Sequence, residues 1–156
     1  MPGPTTASPR ILAGIDIGTL TCRLEIAAVT SEGHITKLRS DRRILRLGQG
    51  VDRDRLLRPD AMERVAATLK DWRQLIDEHQ VQATAVVATS AVRDARNREE
   101  FLNLIAREAG LQVEIISGEE EARRTMLGIR SGLPAGVMDM LAVDIGGGST
   151  ECILDR

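Results

Sequence analysis

Ile11-Leu12-Ala13-Gly14-Ile15-Asp16-Ile17-Gly18-Thr19-Leu20-Thr21-Cys22-Arg23-Leu24 decides the fold. An apolar run ends in Asp-Ile-Gly, a tight turn follows, and Cys22, Leu24, Ile26 and Ala28 then alternate with more polar neighbours. That is a buried strand, a turn and a second strand of period two. Gly33 marks another turn, and Ile35 to Leu45 offers a third strand. Tight connections make these three an antiparallel meander. The signature returns near the other end as Val143-Asp144-Ile145-Gly146-Gly147-Gly148-Ser149-Thr150. Each copy is an apolar strand, Asp-Ile-Gly, then a turn with hydroxyls that leads into another strand.

Between the two copies the period changes to that of helices. Pro59 opens a helix running to about His79, with Met62, Val65, Ala66, Leu69, Trp72 and Ile76 on one face. Thr84 to Ala88 is a strand, and Thr-Ser-Ala-Val-Arg-Asp-Ala-Arg begins a short helix with Ser90 as its expected N-cap. Asn97 with Glu100, and Ser117 with Glu120, read as capping boxes. The first starts a helix bearing Phe101, Leu102, Ile105 and Ala109, which Gly110 ends. The second starts a helix through about Arg130 with the stripe Ala122, Thr125, Met126 and Ile129. Val113 to Ile116 between them is a strand. The fold class is therefore α/β, a three-stranded antiparallel meander plus βαβα, in a mixed sheet with flanking helices.

At 156 residues, 42% hydrophobic and 28% charged, the chain has globular proportions and is neither disordered nor collagenous. Trp72 and Phe101 are its only aromatic residues and the net charge is −2. Stacking on bases has little to work with and there is no global polycation, which argues against nucleic acid. No run approaches the roughly 18 apolar residues of a membrane span, so the expectation is a cytoplasmic protein with no membrane contact. Cys22 and Cys152 lie in apolar strand-like runs and are expected to be small buried hydrophobes. Of 21 basic residues only Lys37 and Lys70 are lysines. Arginines 39, 42, 43, 46, 53, 55 and 58 crowd one stretch, which either meets a long anion or is a solvated face.

The two Asp-Ile-Gly turns carry the chemistry. Glycine lets backbone N–H groups approach an anion without a Cβ in the way, and a turn aims several of them into one concavity. Gly18, Thr19 and Thr21 in the first turn, with Gly146, Gly147, Gly148, Ser149 and Thr150 in the second, are the candidate phosphate-binding residues. Asp16 and Asp144 are placed to hold a divalent cation, directly or through water. The bland alternative is a pair of ordinary β-hairpins. Arg93, one turn into the helix after Ser90, either forks onto phosphate or sits exposed. Of the three acids in Ser117-Gly118-Glu119-Glu120-Glu121, the helix dipole accounts for Glu119 and Glu120. Glu121 adjoins the apolar stripe. Partly desolvated, it would have a raised pKa and suit a general base for water attacking phosphorus.

These residues resemble the exopolyphosphatase/guanosine pentaphosphatase family, a branch of the actin-like ATPase, sugar kinase and heat-shock-70 superfamily. The resemblance rests on D-I-G-T-L-T-C-R-L from Asp16, R-L-G-Q-G-V from Arg46 and A-T-S-A-V-R-D-A-R-N from Ala88. It also rests on I-I-S-G-E-E-E-A-R from Ile115 and D-I-G-G-G-S-T-E from Asp144, and it covers Ile11 to Leu154. It implies a ribonuclease-H-like lobe with Glu121 as catalytic base, Arg93 on phosphate, and the two loops as phosphate sites. Asp144 and Glu151 would lie near Mg²⁺ and the attacking water. The implied reaction releases orthophosphate from inorganic polyphosphate, or the 5′ γ-phosphate of guanosine pentaphosphate. One departure is Leu20, where the family's first loop usually has an asparagine; a side-chain amide donor is lost.

The resemblance also sets the expected organisation. Residues 1–10 are a loose tail, 11–130 form lobe I, and 131–156 are a linker and the first strands of an otherwise missing lobe II. Met140 to Leu154 is then expected to be poorly ordered, to pack abnormally, or to pair with another molecule, either a second copy or a partner supplying the missing lobe. A binding module without catalysis is the alternative for such a chain.

Overall fold

Ala13, Ile15 and Ile17 leave one face of β1 (Arg10–Ile17), and Cys22, Leu24 and Ile26 leave the same face of β2 (Thr21–Val29); all are buried. This is the period-two pattern of a sheet with one face on the core. The computed structural model describes residues 8–134, 136, 137 and 139–155. In it β1 pairs antiparallel with β2, and β2 with β3 (Ile35–Ile44), closing the expected meander. A crossover then brings β4 (Ala83–Ala88) parallel to β1, and β5 (Glu114–Ile115) parallel to β4. The sheet order is β3-β2-β1-β4-β5.

The helices between these strands are α1 (Val51–Asp54), α2 (Pro59–Glu78), α3 (Ser90–Asp94) and α4 (Arg98–Ala109); α5 (Gly118–Ser131) follows β5. The whole predicted stripe of α2 is buried, with Trp72 and Leu69 fully enclosed, and Phe101, Ile105 and Ala109 of α4 join it in one core. In α5 only Met126 is buried, while Ala122, Thr125 and Ile129 are half-buried. After α5 comes a separate two-stranded sheet, β6 (Met140–Ile145) against β7 (Thr150–Asp155).

Several local expectations change. Helix α1 was not foreseen; it is a single turn bounded by Gly50 at φ 89° and Arg55 at φ 55°. The strand expected over Val113 to Ile116 shrinks to two residues. Ser90 is not an N-cap, because Thr89 occupies that position and Ser90 lies buried inside the helix. Asn97 sits at its cap position without capping, since its amide bonds both the N–H and the carbonyl of Leu57, at 2.9 and 3.0 Å. Ser117 does cap α5, accepting from the Glu120 N–H at 3.2 Å, but the Glu120 carboxylate turns to Arg123 and Arg124 instead of closing the box.

At the chain's beginning, residues 1–7 of the expected tail lie outside those described, and β1 starts at Arg10, one residue inside that tail. At the other end Met140 to Leu154 finds a partner within itself, the β6–β7 hairpin, whose inner face meets α5 and which Arg130 ties down by an ion pair to Asp155. Its outer face stays open: Leu141, Val143, Ile145 and Leu154 are exposed, Ile145 by 78%. Cys152 shares that face and is exposed, contrary to the expectation that both cysteines are buried.

Candidate active site

The two Asp-Ile-Gly turns fold alike. In the first, Gly18 N–H donates to the Thr21 carbonyl at 3.0 Å, closing a four-residue loop between the paired residues Ile17 and Cys22. In the second, Gly146 N–H donates to the Ser149 carbonyl at 2.9 Å between the paired Ile145 and Thr150. A Cβ on Gly18 would stand 2.8 Å from the Thr21 carbonyl oxygen, so the turn needs glycine there.

The loops also touch each other. Ideal Cβ positions at Gly147 and Gly148 fall 2.8 Å from Leu20 Cβ and 2.7 Å from Thr19 Oγ1, so only glycine permits this approach. Thr19 Oγ1 and Ser90 Oγ are hydrogen-bonded at 2.8 Å, which fastens the first loop to the start of α3. From the other side the Arg46-Leu47-Gly48 turn grips it. Leu45 and Arg46 N–H groups donate to the Leu20 carbonyl and Gly48 N–H to that of Thr19, each at 2.9 Å, with Arg46 held at φ 54°.

A cavity of about 280 Å³ lies between the loops. It is lined by Asp16, Gly18, Thr19 and Thr21 from the first turn, by Asp144 and Gly146 to Ser149 from the second, and by Glu121. Three stretches distant in sequence therefore converge on one cavity. Arg93, Thr150 and Glu151 do not line it. Thr150 is exposed at the start of β7, and Glu151, opposite Asp144 in the hairpin, is half-buried and close enough to raise the Glu121 pKa. Arg93 sits behind Glu121: its Nη1 donates to the Ile116 carbonyl at 2.8 Å and stands 3.5 Å from Glu121 Oε2.

Six residues outside the candidate set also line the cavity, Leu20, Arg23, Arg42, Thr89, Ser90 and Ile145, and of the crowded arginines Arg42 alone is among them. Arg23 was accessible from the sequence by period two, since it shares a face of β2 with Thr21. Arg42 was not, because its position depends on the register of β3. Of the other crowded arginines, Arg43, Arg53 and Arg58 are paired with aspartates.

Burial and like charge shape the acids. Burial is the main cause that pushes Asp16 above the ordinary carboxylate range; Arg23 opposes the shift and Asp144 adds to it. Burial likewise raises Glu121, with Glu151 adding and Arg93 opposing. Next to Asp16, burial pushes the Cys22 thiol up to about 12. Among the described residues no three His, Cys, Asp or Glu side chains are close enough to cage a metal ion. The acids instead suit Mg²⁺ in its commoner mode, held by one or two carboxylates, waters and substrate phosphates.

The decisive comparison is with protein families. The Ppx/GppA phosphatase family matches residues 26–155. The chain belongs to that family. Exopolyphosphatase 2 of Mycobacterium tuberculosis is 37% identical over 151 residues, which are 92% of this chain and 47% of that protein. The crystal structure of the Aquifex aeolicus member of the Ppx/GppA family superposes with a TM-score of 0.83 at 38% identity, over 95% of this chain and 48% of that one. An exopolyphosphatase from Cytophaga hutchinsonii gives 0.88 at 33%, over 94% and 47%. This Ppx/GppA chain thus has the α/β fold expected of it, and it spans about half the length of these relatives. Among the described residues no helix is long and apolar enough to cross a membrane.

Proposed function

We propose that the chain supplies the phosphate-binding and water-activating wall of an exopolyphosphatase-type hydrolase. The observation that carries this is Glu121, a half-buried carboxylate with a raised pKa that faces the same cavity as both glycine turns. Glu121 takes a proton from a water that attacks the terminal phosphorus. The new P–O bond forms as the phosphoanhydride bond breaks, and orthophosphate leaves with the remaining chain as the other product. The Gly18 and Gly146 N–H groups close their own turns, so the N–H groups left for the negative oxygens are those of Thr19 and Leu20 and of Gly147 and Gly148, a preorganised stabilisation of charge. Asp16 and Asp144 would hold Mg²⁺ together with substrate oxygens, and the ion would neutralise phosphate charge. Both acids line the same cavity between the turns, which supports a cation there. Arg93 acts here through Glu121 rather than on phosphate directly.

The substrate is inorganic polyphosphate or guanosine pentaphosphate, since both end in a phosphoanhydride. Two free cysteines suit the reducing cytoplasm. A second reading, a binding module or half-enzyme that works with a partner or a second copy, is favoured by the open apolar face of the β6–β7 hairpin. Phosphate release and polyphosphate binding, measured with Mg²⁺ on this chain and on Glu121→Gln, separate the two. Release lost in Glu121→Gln with binding kept supports hydrolysis. Binding without release by the unaltered chain supports the second reading. No binding at all defeats both.

A further inference from the structure

The registers of three strands align a row of side chains on the cleft side of the sheet. Asp16 of β1 is opposite Arg23 of β2, and Arg23 is opposite Arg42 of β3. All three line the cavity between the glycine turns. Neighbouring strands lie about 4.8 Å apart, so the row reaches about 10 Å sideways from the metal-binding acid. An ion confined to the turns does not reach its outer end; a chain of several phosphates does.

The row is also electrostatically unbalanced. Like charges directly opposite one another in an antiparallel pair destabilise it, and Arg23 and Arg42 are such a pair. Asp16 offsets Arg23. Among the described residues no carboxylate forms an ion pair with Arg42, whose backbone N–H, not its guanidinium, meets Asp41. Its neighbour Arg43 shows the contrast. It points to the other face, bonds Asp71 at 2.8 Å and lies over the Trp72 ring. Arg42 is thus an exposed guanidinium at the cavity edge with no ion-pair partner among the described residues, a fork of the kind that suits phosphate oxygens.

Resting on the phosphoanhydride reading above, we propose that Arg42 binds the phosphates of a long linear polyphosphate that lie beyond the glycine turns. It thereby makes the site prefer long chains to short ones. Arg42 is a binding residue for the distal chain and takes no part in the bond-breaking step.

The test compares binding of pyrophosphate and of long-chain polyphosphate to the unaltered chain, Arg42→Gln, Arg42→Lys and the control Arg53→Gln. A lost charge-assisted contact is worth about tenfold in affinity. The expected result is that Arg42→Gln binds long-chain polyphosphate about tenfold more weakly, with pyrophosphate affinity within about twofold. Arg42→Lys falls between, and Arg53→Gln matches the unaltered chain. Without ligand, Arg42→Gln melts at the same or a higher temperature, because the opposed pair is relieved; a purely structural role would lower it. Equal losses for both ligands, or no loss for either, overturn the role of Arg42 and leave the hydrolase reading standing. An unaltered chain that binds neither ligand overturns both.

Discussion

Arg93 Nη1 stands 3.5 Å from Glu121 Oε2 while donating to the Ile116 carbonyl at 2.8 Å, so the guanidinium is anchored before it meets the carboxylate. The anchor fixes where positive charge sits behind the base. Burial and Glu151 raise the Glu121 pKa, and Arg93 counters them. Arg93→Gln therefore raises the Glu121 pKa further. A base works only deprotonated, so the acid limb of the pH–rate profile shifts to higher pH in Arg93→Gln. A profile that loses height without shifting would show Arg93 acting on substrate alone.

The same raised pKa makes a stability prediction. Folded Glu121 holds its proton more tightly than the unfolded chain does. Stability is therefore fully present below the ordinary carboxylate pKa and is lost as pH rises through the raised value. Glu121→Gln removes that loss. Its melting temperature should exceed that of the unaltered chain near neutral pH and converge with it in acid. A difference that does not depend on pH would mean that Glu121 is not strained by burial.

The closeness of the two turns is tested at Gly148. An added methyl would fall 2.7 Å from Thr19 Oγ1 and 2.8 Å from Ser90 Oγ, which already hold each other. Gly148→Ala must part the loops or break that bond, at about 1–3 kcal/mol as for other overpacked sites. Polyphosphate binding should fall with it. Thr19→Val, which deletes the hydroxyl bond alone, should cost about 1 kcal/mol. Chemical denaturation of the two variants measures both.

What was legible in the sequence was local. The paired Asp-Ile-Gly turns could be read because Gly18 and Gly146 each close a bond to a residue three positions on, and glycine is the signal for such a turn. The α2 stripe was legible because helical periodicity lies within twenty residues. Partners distant along the chain were not. Ser90 looked like a cap, yet its hydroxyl serves Thr19, 71 positions away. Asn97 looked like one too, yet it bonds Leu57 across 40 positions. Arg42 reaches the cavity only through the β2–β3 register, which shifts between Ile26 and Ala27 in a way no local pattern announces.

The cysteines differ for a similar reason, and their chemistry will show it. Cys22 is fully buried with its pKa pushed up to about 12, so it forms almost no thiolate near neutral pH. Cys152 lies exposed on the open face of the hairpin. Iodoacetamide should modify one thiol in the folded chain, at Cys152, and both in denaturant, as read by mass spectrometry. Rapid modification of both without denaturant would contradict the buried position of Cys22.

Trp72 joins the core to the outer strand of the meander. Its ring is fully buried, and Nε1 donates to Asp41 Oδ2 of β3 at 2.8 Å. That bond is the main cause that lowers the Asp41 pKa, with the Arg42 N–H and Arg43 assisting against partial burial. A lowered acid contributes stability that is present above its unfolded pKa, about 3.9 for Asp, and lost as pH falls through the lower folded value. Trp72→Phe keeps most of the apolar volume and removes the donor. It should cost about 1 kcal/mol at neutral pH for the bond, plus a smaller amount for the space left by the second ring. The bond's share should fade on acidification, and the cavity's share should remain. Denaturant melts of both chains across that pH range separate the two; a difference constant with pH would mean that the Trp72–Asp41 bond contributes nothing and that the ring acts through packing alone.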